Sequence, residues 1–219
     1  MPTPADRLAK LRDPAIRAVL LPTIRASLPT ALLVQEWGIG YQFVADVAAI
    51  GEVLTEAWEI KSEADSLARL KRQVPLYGAA FDHCSLVAAP RHVERALALL
   101  PDWWGVMEYD RGALSVRRAP QPNSAARPEG LLWVPEIVAL MKHFDLWATA
   151  LRLQREFYAR LSAEHGFNYG RGSRRPGKRH MLEALATVPR AELAPLVCAA
   201  LRARTDWRRP DGYRRERAG

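Results

Sequence analysis

Glu59-Ile60-Lys61 lies inside the run Ala57-Trp58-Glu59-Ile60-Lys61, and Asp46 lies inside Val44-Ala45-Asp46-Val47-Ala48. In an extended strand alternate residues share a face, so Glu59 and Lys61 project together while Trp58 and Ile60 face the other way. Charges among apolar neighbours are costly unless something compensates them. If the two runs form a hairpin turning near Gly51, Asp46 and Glu59 come close enough to share one divalent ion. Two carboxylates suit Mg2+, a hard cation that keeps waters and takes up phosphate oxygens, with Mn2+ as a substitute. Such an ion acidifies water and offsets charge on a phosphate. A neighbouring lysine orients the attacking water or neutralises the phosphorus centre. The same spacing also fits a surface hairpin with a cross-strand ion pair.

The elements that would position these residues can be read along the chain. Asp13-Pro14 opens a short apolar helix over 15–21. A second helical piece is predicted over 30–37, ending at Gly38 or Gly40. Strand-like runs cover 41–50 and 53–61 and are joined at Gly51-Glu52, the pattern of a β-hairpin. A helix is expected over 62–77, with Leu67, Leu70 and Val74 on one face. Then follow a strand over 85–89, a helix over 91–100, a strand over 104–108 and an edge strand over 113–117. This order predicts an α/β fold in which helices flank a mixed sheet. The Pro-rich stretch 119–130 reads as a linker between a core over 1–118 and an all-helical region over 131–219. Helices are expected there over 131–141, 146–163, 180–186 and 190–204.

Asp46, the 12 intervening residues and Glu59-x-Lys61 resemble the D…ExK signature of the PD-(D/E)XK nuclease superfamily. The stretch from Asp13-Pro14-Ala15-Ile16-Arg17 to Pro101-Asp102-Trp103-Trp104-Gly105 resembles a small bacterial and phage family within it. Matching pieces include Val34-Gln35-Glu36-Trp37-Gly38, Glu59-Ile60-Lys61-Ser62, Arg72-Gln73 and Phe81-Asp82. The resemblance implies a restriction-endonuclease-like core and Mg2+-dependent cleavage of DNA. It implies Asp46 and Glu59 as metal ligands, with the Ile60 main-chain carbonyl beside them, and Lys61 as the catalytic lysine. Glu36 matches an acid carried on the helix before the hairpin; a surface carboxylate at a helix C-terminus fits it equally. Gln73 and Tyr77 match a Q-x-x-x-Y spacing that faces the site. Pro75 lies between them and is expected to kink or end that helix before Tyr77. Val44 departs from the family, where Arg is common.

Charge is unevenly distributed. Residues 1–119 carry 14 Lys+Arg against 14 Asp+Glu; residues 120–219 carry 18 against 10, so the whole net charge of +8 (18 − 10) lies in the second part. Arg171, Arg174, Arg175, Lys178 and Arg179 cluster among Gly, Ser and Pro, a composition suited to phosphate contacts without sequence readout; Arg202, Arg204, Arg208 and Arg209 follow. A solubilising surface gives the same pattern. The expected partner is nucleic acid, DNA first. A binding protein that retains the nuclease fold without turnover, or an RNA-directed nuclease, fits the same residues. The apolar stretch 16–34 contains Arg17, Arg25, Pro22 and Pro29 and is not expected to span a membrane. With two separated cysteines, Cys84 and Cys198, reading as free thiols, a soluble cytoplasmic protein is expected. Oligomeric state is not legible in the sequence.

Overall fold

The computed structural model describes residues 13–39, 43–166, 175–205 and 207. The chain divides into two compact units, one reaching Pro128 and one beginning at Glu129.

The first unit is a mixed α/β structure. Helix α1 (Pro14–Ser27) precedes β1 (Leu32–Ile39), β2 (Phe43–Ile50) and β3 (Thr55–Lys61); α2 (Leu70–Ala80), β4 (His83–Ala88), α3 (Pro90–Leu99), β5 (Gly105–Asp110) and β6 (Ala113–Arg118) follow. The six strands form one sheet in chain order. β1, β2 and β3 are antiparallel neighbours, β3, β4 and β5 run parallel, and β6 returns antiparallel to β5. The parallel steps need crossovers, which α2 and α3 supply.

β3 is central and buried on both faces. Trp58 and Ile60 join Val47, Ala49 and Val87 against Ile16, Leu20 and Ile24 of α1. Glu59 and Lys61 face the other side, where α2 lies across the sheet. The strand is therefore more deeply covered than a half-buried hairpin.

Two local expectations are overturned. Residues 32–39 form a strand, not a helix ending at Gly38 or Gly40. Glu36 adopts a left-handed backbone, φ 51°, which interrupts the strand alternation. The two buried residues, Val34 and Trp37, consequently lie three apart, the spacing a helix would give. The helix expected over 62–77 begins only at Leu70 and runs through Pro75 to Ala80. Its start is delayed because the Asp65 carboxylate accepts from the Ser62 amide at 2.9 Å and the Ser62 hydroxyl at 2.6 Å, local bonds that compete with helix formation.

The stretch after β6 is fastened to this unit. Gln121 N–H donates to Trp103, Asn123 N–H to Asp82 and Arg127 N–H to Ala79 main-chain carbonyls, and Ala126 is buried. Gly105 is part of this seam: a β-carbon there would stand 2.5 Å from Ser85 Oγ and 2.9 Å from the Pro120 ring. Gly105→Ala is expected to lower stability by about 1–3 kcal/mol through overpacking, measured by urea unfolding; an unchanged midpoint would show that the seam relaxes freely.

The second unit contains α4 (Val134–His143), α5 (Trp147–His165), α6 (Lys178–Leu185) and α7 (Arg190–Arg202), preceded by a 3-10 turn, Pro128–Leu131. Glu136 caps α4 by accepting from Trp133 N–H at 2.6 Å. Arg204 grips both Glu136 oxygens, at 2.6 and 2.5 Å, and lies over the Trp133 ring. It thus has a packing role rather than forming part of a solvated cationic tail. Cys84 and Cys198 are buried free thiols, and burial pushes the Cys198 thiol up to about 11. Among the described residues no helix is long and apolar enough to cross a membrane.

Candidate functional site

The β2–β3 register ends at Val47–Trp58, so Asp46 and Glu59 occupy the next opposing positions. There the ladder gives way to side-chain bonds. Ile60 N–H donates to Asp46 Oδ2 at 2.7 Å. On the other side of β2, the pairing with β1 passes from Gln35–Val47 to Trp37–Ala45, leaving Glu36 and Asp46 out. The Asp46 carbonyl freed in this way accepts from Arg17 Nη1 at 2.7 Å, and the Asp46 amide lies 3.4 Å from the Tyr77 hydroxyl.

Glu59 is held from three directions. Lys61 Nζ contacts Oε1, Gln73 Nε2 donates to Oε1 at 2.6 Å, and the Tyr77 hydroxyl donates to Oε2 at 2.6 Å. Glu59 and Lys61 are each only 2 % exposed. Lys61 is therefore a buried countercharge and not a solvated strand lysine. Tyr77 stays a donor: burial, and then the charge of Glu59, push its hydroxyl well above the usual range. Pro75 does not remove Tyr77 from the site, because α2 continues past it. Tyr77→Phe leaves a buried carboxylate oxygen without its donor, and a loss of about 1–3 kcal/mol is expected, read by thermal unfolding. A parent-like melting curve would mean that water replaces the phenol.

Asp46, Glu59, Ile60, Lys61 and Gln73 line an open cleft of about 450 Å3 that also includes Asp13, Arg17, Glu36, Val44, Asp65, Arg69 and Arg72. Burial, and then the charge of Glu59, push the Asp46 carboxyl up to about 7. Among the described residues the cleft is lined by no histidine or cysteine, so the donors it offers a cation are oxygens, as Mg2+ prefers. A carboxylate offers about four lone-pair sites. Among the described residues three donors already engage Glu59, whereas Asp46 Oδ1 has only the Arg17 guanidinium, at 3.8 Å. Asp46 thus has the greater capacity for a metal. Among the described residues no group of three or more His, Cys, Asp or Glu side chains could hold an ion. A site here would rest on two carboxylates completed by main chain and water.

Asp46, Glu59, Ile60, Lys61, Gln73 and Glu36 all line the one cleft, and Tyr77 touches its buried side. Glu36 reaches it from strand β1 and not from a helix, with its carboxylate on the Arg17 guanidinium. Sequence reasoning missed Arg17. Its signal was present: residues 17, 20 and 24 follow helical spacing, so Arg17 falls on the buried stripe of α1. Arg69 and Arg72 were missed as cleft residues too. They supply positive charge near Val44, which is 46 % exposed.

The basic segment is only partly described; Arg171 and Arg174, with Arg208 and Arg209, lie outside the described residues. Arg175 is engaged. Lys178 Nζ donates to the Leu132 carbonyl at 2.9 Å, while Arg179 pairs with Glu183 and lies over the Phe157 ring. Arg179 remains 65 % exposed, so its internal bond leaves it accessible.

The fold and the cleft define a mixed α/β protein whose central strand buries an acid–lysine pair beside a second carboxylate. The chain belongs to the family described as bacteriophage P4 protein cII, whose model matches residues 7–187. Among solved structures it is similar to the SPO1766 protein of unknown function from Silicibacter pomeroyi. The identity is 19 %, the match covers 71 % of this chain and 94 % of that one, and the TM-score is 0.41. No curated protein matches the chain.

Proposed function

We propose that this chain is a metal-dependent nuclease of the PD-(D/E)XK superfamily, with a restriction-endonuclease-like core, that hydrolyses DNA phosphodiester bonds. The observation that carries the reading is the buried Glu59–Lys61 pair beside Asp46 in an open cleft with Arg17, Arg69 and Arg72. A buried ion pair is weak evidence for stability, since apolar residues of similar size often do as well or better. Its presence in the central strand calls for a chemical reason.

In this reading Asp46 and Glu59 would hold Mg2+ or Mn2+, with the Ile60 main-chain carbonyl beside them, and such an ion would supply an acidified water and offset charge on the phosphate. Lys61 Nζ orients the attacking water and stabilises the negative charge that grows at the phosphorus centre. Gln73 and Tyr77 hold the Glu59 carboxylate in one orientation, and Arg17 holds the Asp46 main chain. In the same reading Arg171, Arg174, Arg175, Lys178 and Arg179 add phosphate contacts.

The test is incubation of circular single- and double-stranded DNA, and of labelled RNA, with Mg2+ or Mn2+. Cleavage of DNA that a chelator abolishes is expected. Cleavage of RNA alone would reassign the substrate. Failure to cut any of these, and linear DNA, would overturn hydrolysis as the function.

A further inference from the structure

We propose that Arg17 is the receptor for a backbone phosphate of the substrate strand, and that Glu36 occupies this receptor until nucleic acid displaces it. The inference deepens the nuclease reading above and rests on it for the identity of the ligand. Arg17 is 3 % exposed and lines the cleft. A guanidinium so buried needs an anion. Its Nη1 is committed to the Asp46 carbonyl, but its other edge, formed by Nε and Nη2, is half used. Nη2 contacts a single Glu36 oxygen, while Nε is buried without a hydrogen-bond partner.

Glu36 is a poor permanent partner. Its side chain is 46 % exposed, and it reaches Arg17 from a left-handed backbone that a non-glycine residue seldom adopts. It makes one contact where the guanidinium edge presents two donors. A phosphodiester carries its charge on two non-bridging oxygens, which match that edge and would satisfy Nε and Nη2 together. A phosphate seated there lies beside Asp46, whose Oδ1 is 3.8 Å from Nη2. The receptor thus places a strand at the carboxylates, and Glu36 competes with it as a tethered anion.

The test is binding of a fluorescein-labelled single-stranded DNA oligonucleotide in EDTA, where no turnover occurs. It is paired with NMR of the Arg17 Nε–H signal during titration with dimethyl phosphate. Glu36→Gln removes the charge of the competitor, and Glu36→Gly removes it in a residue suited to φ 51°. Each is expected to tighten DNA binding about tenfold. Arg17→Lys, which keeps the charge but not the two-donor edge, is expected to weaken it. In Glu36→Gln the Nε–H signal should shift on addition of dimethyl phosphate. If the parent binds the oligonucleotide and both Glu36 variants bind it no more tightly, or if dimethyl phosphate leaves the signal unmoved, the proposal is overturned. If dimethyl phosphate shifts the signal but neither parent nor variants bind DNA or RNA, the anion receptor stands and the nuclease reading fails.

Discussion

Lys61→Ala is expected to reduce Mg2+-dependent DNA cleavage by a factor of about 10^2–10^4, the range for removing a positioned proton-transfer or charge-stabilising group. Among the described residues the ammonium is the one cation in contact with Glu59, and both residues lie almost entirely out of water. Charge placed in such a setting is screened far less than at a surface. Truncation also leaves Glu59 without its countercharge, so a stability loss accompanies the rate loss. Lys61→Met, which keeps the aliphatic stem, separates the two effects. Its folded fraction, read by circular dichroism, must match the parent while cleavage stays lost. A folded Lys61→Met protein that cuts at the parent rate would remove Lys61 from the mechanism.

Asp46→Asn is expected to abolish cleavage and at the same time to stabilise the metal-free protein above pH 7. The Asp46 carboxyl titrates at about 7 in the folded chain against 3.8 as its ordinary value. Between those values the folded state binds the extra proton, so stability falls as pH rises through the window. The slope is at most about 1.4 kcal/mol per pH unit for one such group. Asparagine can still accept from Ile60 N–H but carries no charge toward Glu59, so this loss disappears. In EDTA, parent and variant should melt alike near pH 4 and diverge toward pH 8, with the variant higher. Mg2+ should then raise the parent alone and close the gap, since a ligand that binds only the folded state stabilises it. Parallel melting curves across this range would show that Asp46 is not the strained carboxylate of the cleft.

The chemistry-bearing core of the site was legible because it is local. Asp46 and Glu59 are joined by one short hairpin, and the period-two side-chain alternation of a strand places Glu59 and Lys61 together whatever surrounds them. The Gly51 turn and apolar flanks were enough to set that register. The helical region beyond residue 130 was readable for a similar reason, since helical periodicity is a property of consecutive residues. Misreadings arose where one residue's backbone or side-chain choice overrides the pattern of its neighbours. The left-handed Glu36 gives 32–39 a helix-like spacing of buried residues. Pro75 was weighed only as a helix breaker, although α2 packs its Tyr77 among Phe43, Phe81 and Trp104 and continues beyond it.

The sequence by itself determined the carboxylate–lysine constellation, the strand that carries it and the asymmetric charge, all set by residue type and short spacing. Only the tertiary structure decided that Lys61 is buried against Glu59, that Tyr77 joins the site and that Arg17 crosses from α1 to the Asp46 carbonyl and to Glu36. The physical reason is range. Alternation and turn chemistry act over a few residues, whereas burial, pKa and ion pairing depend on which elements close over a strand, and that is set by packing of the whole sheet.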